Sequence, residues 1–154
     1  MDRLADSGCD AAADTDVSAV MGAMRSLTDL PAGLYRGQVS GAESGSCEAR
    51  MAVARIPGNC LAVDYEAVGA DGVQHVEHTL VDETTLYVAH SEAPGVQVFQ
   101  KTADDTFDGP PGGPYEQRLV ISWDGEVLAW AWHWAAAGEE LREQSRATTR
   151  LADA

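Results

Sequence analysis

Residues 115–136 read YEQRLVISWDGEVLAWAWHWAA, and the period of two running through them decides the fold. Two alternating runs flank Asp124-Gly125, a dipeptide suited to a tight hairpin turn. A two-residue turn there pairs Ile121 with Leu128, Leu119 with Trp130, Gln117 with Trp132 and Tyr115 with Trp134. Apolar meets apolar, so these residues share a buried face. Trp130, Trp132 and Trp134 stand on that face, while Ala129, Ala131 and Ala135 leave the other side of the strand thin.

The same period of two recurs from Gly33 to the end of the chain. Turn signals cut it into short runs at Pro57-Gly58-Asn59, Asp71-Gly72, Asp82-Glu83, Pro94-Gly95, a Gly/Pro-rich stretch at 102–114, and Gly138. A three-residue loop over 57–59 pairs Val53 with Val63, Met51 with Tyr65 and Arg50 with Glu66. A two-residue turn at Asp71-Gly72 pairs Ala67 with Val76, Tyr65 with His78 and Val63 with Leu80. It leaves Asp64, Glu66, His75 and Glu77 outside. By the same test Leu86, Val88 and His90, then Val96, Val98 and Gln100, then Leu141, Glu143, Ser145 and Ala147 point inward. Evenly spaced antiparallel strands with one apolar face predict a closed up-and-down barrel of nine to ten strands, mainly β. Nothing alternates strand with helix, which excludes a parallel α/β sheet.

One helical pattern precedes the barrel. Asp14 or Thr15 can cap it, Val17, Val20, Met21, Met24 and Leu27 follow at helical spacing, and Pro31 ends it. The expected organisation is an acidic tail over 1–13, an amphipathic helix over 14–30 that caps the barrel, and a single barrel domain over 31–152.

The chain has 154 residues, and 25 Asp+Glu against 10 Lys+Arg give a formal charge of −15. Such a body is repelled by phosphate backbones and anionic lipid heads, so neither nucleic acid nor a membrane is an expected partner. No apolar run approaches the ~20 residues of a spanning helix, and the first residues lack a secretory layout, so a cytoplasmic location is expected. Cys9, Cys47 and Cys60 lack metal-type spacing. Cys47 and Cys60 fall at opposite ends of a strand pair, out of disulfide reach.

Three indoles in a small barrel either fill it or wall a cavity. The inward polar residues Tyr65, His78, His90, Gln117 and Glu143 are few, as in a small-molecule pocket, and each has an ordinary buried role as the alternative. With Met51, Val88, Val98, Leu119 and the three tryptophans they make the expected ligand lining. A two-residue turn at Ala137-Gly138 sets Glu143 against Trp132, where desolvation suits a general acid or base; Tyr65 and His78 are the other candidate proton carriers. No metal site is expected: His75 and His78 fall on opposite faces, His75 and Glu77 form an outer charge pair, and His133 lies outward opposite Glu116. No phosphate cradle or nucleophile elbow appears.

Gly33-Leu34-Tyr35-Arg36-Gly37 resembles the G-x-W-x-G that opens the first strand of lipocalin-like (calycin) barrels, with Tyr35 in place of Trp. REQSRATTRL resembles the closing strand of that superfamily, and the resemblance implies that Arg146 or Arg150 packs over the first-strand aromatic. RLVISWDGEVLAWAWHW with the strand after it is similar to uncharacterised bacterial lipocalin-like proteins. More distantly, the pattern is similar to fatty-acid-binding barrels, to nitrobindin-like haem barrels and to polyketide barrel cyclases. Gln144 stands where the haem ligand of a nitrobindin-like barrel would fall, so no cofactor is expected. The resemblance implies binding of a hydrophobic, aromatic or polyketide-like molecule. The alternative is a cofactor-independent cyclase or isomerase using the same cavity, with Glu143, His78 or Tyr65 moving the proton. A homodimer is an admissible assembly.

Overall fold

Ten strands follow one another in the computed structural model, which describes residues 26–41 and 47–152. They are β1 (Gly33–Gly41), β2 (Cys47–Ile56), β3 (Cys60–Gly69), β4 (Gly72–Val81), β5 (Thr85–His90), β6 (Ala93–Ala103), β7 (Thr106–Asp108), β8 (Tyr115–Trp123), β9 (Val127–Ala136) and β10 (Arg142–Leu151). Each pairs antiparallel with its chain neighbours, and β1 pairs with β10, so the meander closes into a barrel. β7 arises inside the stretch expected to be loop, because Asp105 takes a left-handed φ of 59° and turns the chain back at once.

Closure depends on a glycine of the first-strand motif. A Cβ at Gly37 would lie 1.8 Å from the Thr148 carbonyl oxygen, so β1 approaches β10 only because residue 37 has no side chain. Tyr35 points inward, 1% exposed, and its hydroxyl donates to the Pro31 carbonyl at 2.8 Å. The expected arginine cover over it is corrected. Arg146 pairs with Glu143 and Arg150 with Glu126 on the outer surface, since the inward residues of β10 are Ala147 and Thr149.

Bulges and turn lengths decide which faces were readable. The loop at 57–59 has the expected register, with Val53 opposite Val63 and Met51 opposite Tyr65. At 124–127 the loop is longer than expected, because Asp124 Oδ1 accepts from the amides of Glu126 at 2.9 Å and Val127 at 2.7 Å. Ile121 therefore faces Trp130, Leu119 faces Trp132, and Gln117 faces Trp134. A shift of two keeps every face and changes only the partners. A shift of one does not. The register of β3 and β4 breaks between Ala67 and Val68, where Gln74 is the extra residue, and β4 turns over. His75, Glu77 and Thr79 face inward; His78 and Leu80 face out. Likewise β10 carries an extra residue, Gln144, between Glu143 and Ser145, so Ser145 rather than Glu143 stands opposite Trp132. On β6, Gln97 and Phe99 face Val88 and Leu86, which puts Val96 and Val98 outside.

The expected helix over 14–30 lies outside the described residues except at its end. There Ser26 caps a 3₁₀ turn, Leu27–Asp29, the only helical element among the described residues. Leu30 is fully buried, and Arg55 donates to its carbonyl at 3.3 Å, so this turn stoppers one end of the barrel. Among the described residues no helix is long and apolar enough to cross a membrane.

Candidate functional site

The polar centre of the barrel is Glu77, fully buried on β4. An isolated carboxylate in such a place would be very costly, so its hydrogen bonds must account for its charge. Trp130 Nε1 donates to Oε2 at 3.1 Å, and Trp132 Nε1 donates to Oε1. His75 Nε2 donates to the same Oε1 at 2.6 Å, while its Nδ1 reaches Glu92 at 2.6 Å. Burial alone would lower the His75 pKa, but the hydrogen bonds and charges of Glu77 and Glu92 raise it to about 9. At neutral pH His75 is therefore an imidazolium bridging a buried carboxylate and one at the barrel rim. Burial pushes Glu92 up, but His75, Ser91 and His90 draw it below the usual carboxylate range.

Aromatic rings extend this centre across the lumen. Tyr65 lies 5.6 Å from His75, His75 6.0 Å from His90, His90 5.2 Å from Trp132 and Trp132 5.7 Å from Phe99, measured between ring centroids. The two closing contacts are edge-to-face, the geometry that aromatic quadrupoles favour. His90 is fixed further by Gln97 at 3.1 Å. Burial, helped by the charges of Glu77, Cys47 and Glu92, pushes the Tyr65 phenol well up, so it stays neutral.

The expected site residues separate into three places. Met51, Tyr65, Val88, Leu119, Trp130 and Trp132 lie in the packed core, with His90 and Gln117 nearer the open end. Trp134 is 37% exposed at the mouth. The sequence pattern places His78, Val98 and Glu143 inside; the structure places them outside. His78 pairs with Asp64 at 2.7 Å, and Glu143 with Arg146 at 2.7 Å. The bulges at Gln74 and Gln144 account for two of these reversals, and the register of β6 for Val98. The outer charge pair assigned to His75 and Glu77 is corrected with them, as is His133, which stands opposite Arg118 rather than Glu116. One sequence signal did call for such a group without naming it: two buried indole N–H groups need an acceptor.

At the open end a cavity of about 610 Å³ is lined by Tyr115, Trp134, Ala135, Ala136, Glu139, Glu140, Arg142 and Gln144. The β10 bulge builds one wall: Gln144 Nε2 donates to the Trp134 carbonyl at 3.2 Å, and Arg142 pairs across from Trp134. Among the described residues no group of three or more His, Cys, Asp or Glu is placed to hold a metal.

With ten antiparallel strands closed around this interior, the chain is similar to the M. tuberculosis protein Rv2717c: 16% identity, TM-score 0.54, 79% of this chain and 92% of that one. The fold is that of a lipocalin-like barrel. The S-type phycobiliprotein lyase CPES of Guillardia theta aligns over 88% of this chain and 97% of its own, at 11% identity and TM-score 0.49. No protein-family description and no curated protein matches the chain.

Proposed function

We infer that the barrel binds one small hydrophobic molecule, aromatic or polyketide-like, at its open end. The observation that carries this reading is the cavity at the mouth, whose volume suits a small ligand and whose exposed rings are Trp134 and Tyr115. Beneath it the two buried indole donors are already engaged. Glu77 takes the N–H groups of Trp130 and Trp132, so the tryptophan wall offers ring surface rather than hydrogen bonds. Glu139 and Glu140 outnumber Arg142 around the opening, which favours a neutral or cationic guest over a carboxylate. The cyclase reading has less support, because none of its proton carriers lines this cavity. His78 and Glu143 face solvent, and Tyr65 is in the core.

Tryptophan quenching with 1-naphthol, 1-naphthylmethylamine and 1-naphthoate tests the proposal. Saturable binding of the first two, weaker binding of the third, and about tenfold weaker binding in Trp134→Ala are expected; tenfold corresponds to ~1.4 kcal/mol. Quenching that never saturates, or that Trp134→Ala leaves unchanged, would overturn it.

A further inference from the structure

The outer wall of β4, β5 and β6 carries no carboxylate, on a chain with 25 Asp and Glu residues. β3 brings Asp64 and Glu66 to the outer surface on one side, and β7 brings Asp108 on the other. Between them Leu80 stands directly opposite Tyr87, and Tyr87 opposite Val98. These three are 48%, 43% and 38% exposed, and Val96, two residues along β6, is 65% exposed. Apolar side chains so exposed and so close together mark a surface that meets another.

We propose that two copies of the chain meet on this face, around a two-fold axis running across the strands along the Leu80–Tyr87–Val98 row. Charge selects the occupant. Two bodies of formal charge −15 repel, so they can meet only where neither presents carboxylates. A two-fold contact uses the same face twice, and this face meets the condition on both sides at once. Rotation about the row sets Leu80 on Leu80, Tyr87 on Tyr87 and Val98 on Val98, and it reverses the strands. On β4 and just past its end, His78 and Asp82 lie two residues to either side of Leu80, each about 7 Å away. The reversal therefore brings Asp82 of each copy to His78 of the other. His78 Nδ1 holds Asp64 at 2.7 Å, which leaves Nε2 for that second carboxylate. A two-fold along the strands would instead set the acidic turns, Asp82-Glu83 and Asp104-Asp105, against one another.

Two inter-strand spacings and six residues of strand make a face of roughly 300–400 Å² with its side chains. Two such faces bury well under the ~1,600 Å² of a standard interface, so the pair is weak and reversible. The mouth cavity is lined from β8, β9 and β10, so this contact is independent of what the mouth binds.

Sedimentation equilibrium of the full chain at about 0.15 M salt, where charge is screened beyond ~8 Å, tests the proposal. The wild type is expected to pass reversibly from one chain to two between micromolar and submillimolar concentration. Tyr87→Asp should remain a single chain throughout, with strand hydrogen exchange equal to the wild type. If that substitution costs strand protection, Tyr87→Ser makes the same comparison. His78→Glu should weaken association about tenfold, and His78→Glu/Asp82→Lys should restore it. A single chain at every concentration would overturn the proposal in favour of another occupant. Association that Tyr87→Asp or His78→Glu leaves unchanged, or a loss that the double variant does not recover, would overturn it too.

Discussion

Replacing Glu77 with Gln keeps the shape of the side chain and removes one acceptor and one charge. The carboxylate receives three donors, the indoles of Trp130 and Trp132 and the imidazolium of His75. An amide oxygen serves two of them, and the amide nitrogen serves none. One buried donor is left without a partner, at a cost of about 1–3 kcal/mol. His75 also loses the buried half of its charge pairing, and breaking such a pair typically brings the total to about 3–5 kcal/mol. The loss depends on pH. His75 has its pKa raised from 6.5 to about 9, so its contribution is complete below pH 6.5 and fades as pH rises through about 9. That rise is worth roughly 3 kcal/mol at ~1.4 kcal/mol per tenfold change in proton affinity. Urea unfolding should therefore show wild type and Glu77→Gln far apart at pH 6 and much closer at pH 10. A difference under about 1 kcal/mol at pH 6, or parallel pH profiles, would show that Glu77 and His75 do not form a stabilising charge pair.

Gly37→Ala should destabilise by about 3 kcal/mol or more, because its methyl group meets backbone rather than a flexible side chain. Loss of amide protection along β1 and β10 before other strands would check it. Trp130→Ala should cost about 3–5 kcal/mol in thermal or urea unfolding, since Trp130 is 1% exposed and donates to Glu77. Trp134→Ala at the mouth should cost little stability while weakening the naphthol titration. His75→Gln should flatten the wild-type stability change between pH 6 and 10, as followed by the urea midpoint.

The sequence was most readable where errors preserve parity. The tryptophan strand kept its inner face although every partner moved by two residues, because a longer Asp124 loop leaves the alternation intact. It was least readable where one residue is inserted. In GVQHVEHTLV both faces alternate plausibly, and the apolar set Val76 and Leu80 concealed the polar set His75, Glu77 and Thr79. The bulge at Gln74 selects the polar set, and local patterning does not encode it. A second bulge at Gln144 moved Glu143 outside in the same way. The mouth cavity depends on that bulge and on where a hairpin ends, so of the three predicted tryptophans only Trp134 lines it. The demand of buried indoles for an acceptor was legible, but its identity required the fold.

The proposed aromatic guest sits at the mouth against Trp134 and not within the Glu77 core. Following the four indole N–H resonances by NMR while 1-naphthol is added tests this most directly. A saturable shift largest at Trp134 is expected, with the Glu77-bound protons of Trp130 and Trp132 little changed. A saturable shift centred on Trp130, or no saturation at all, would contradict it.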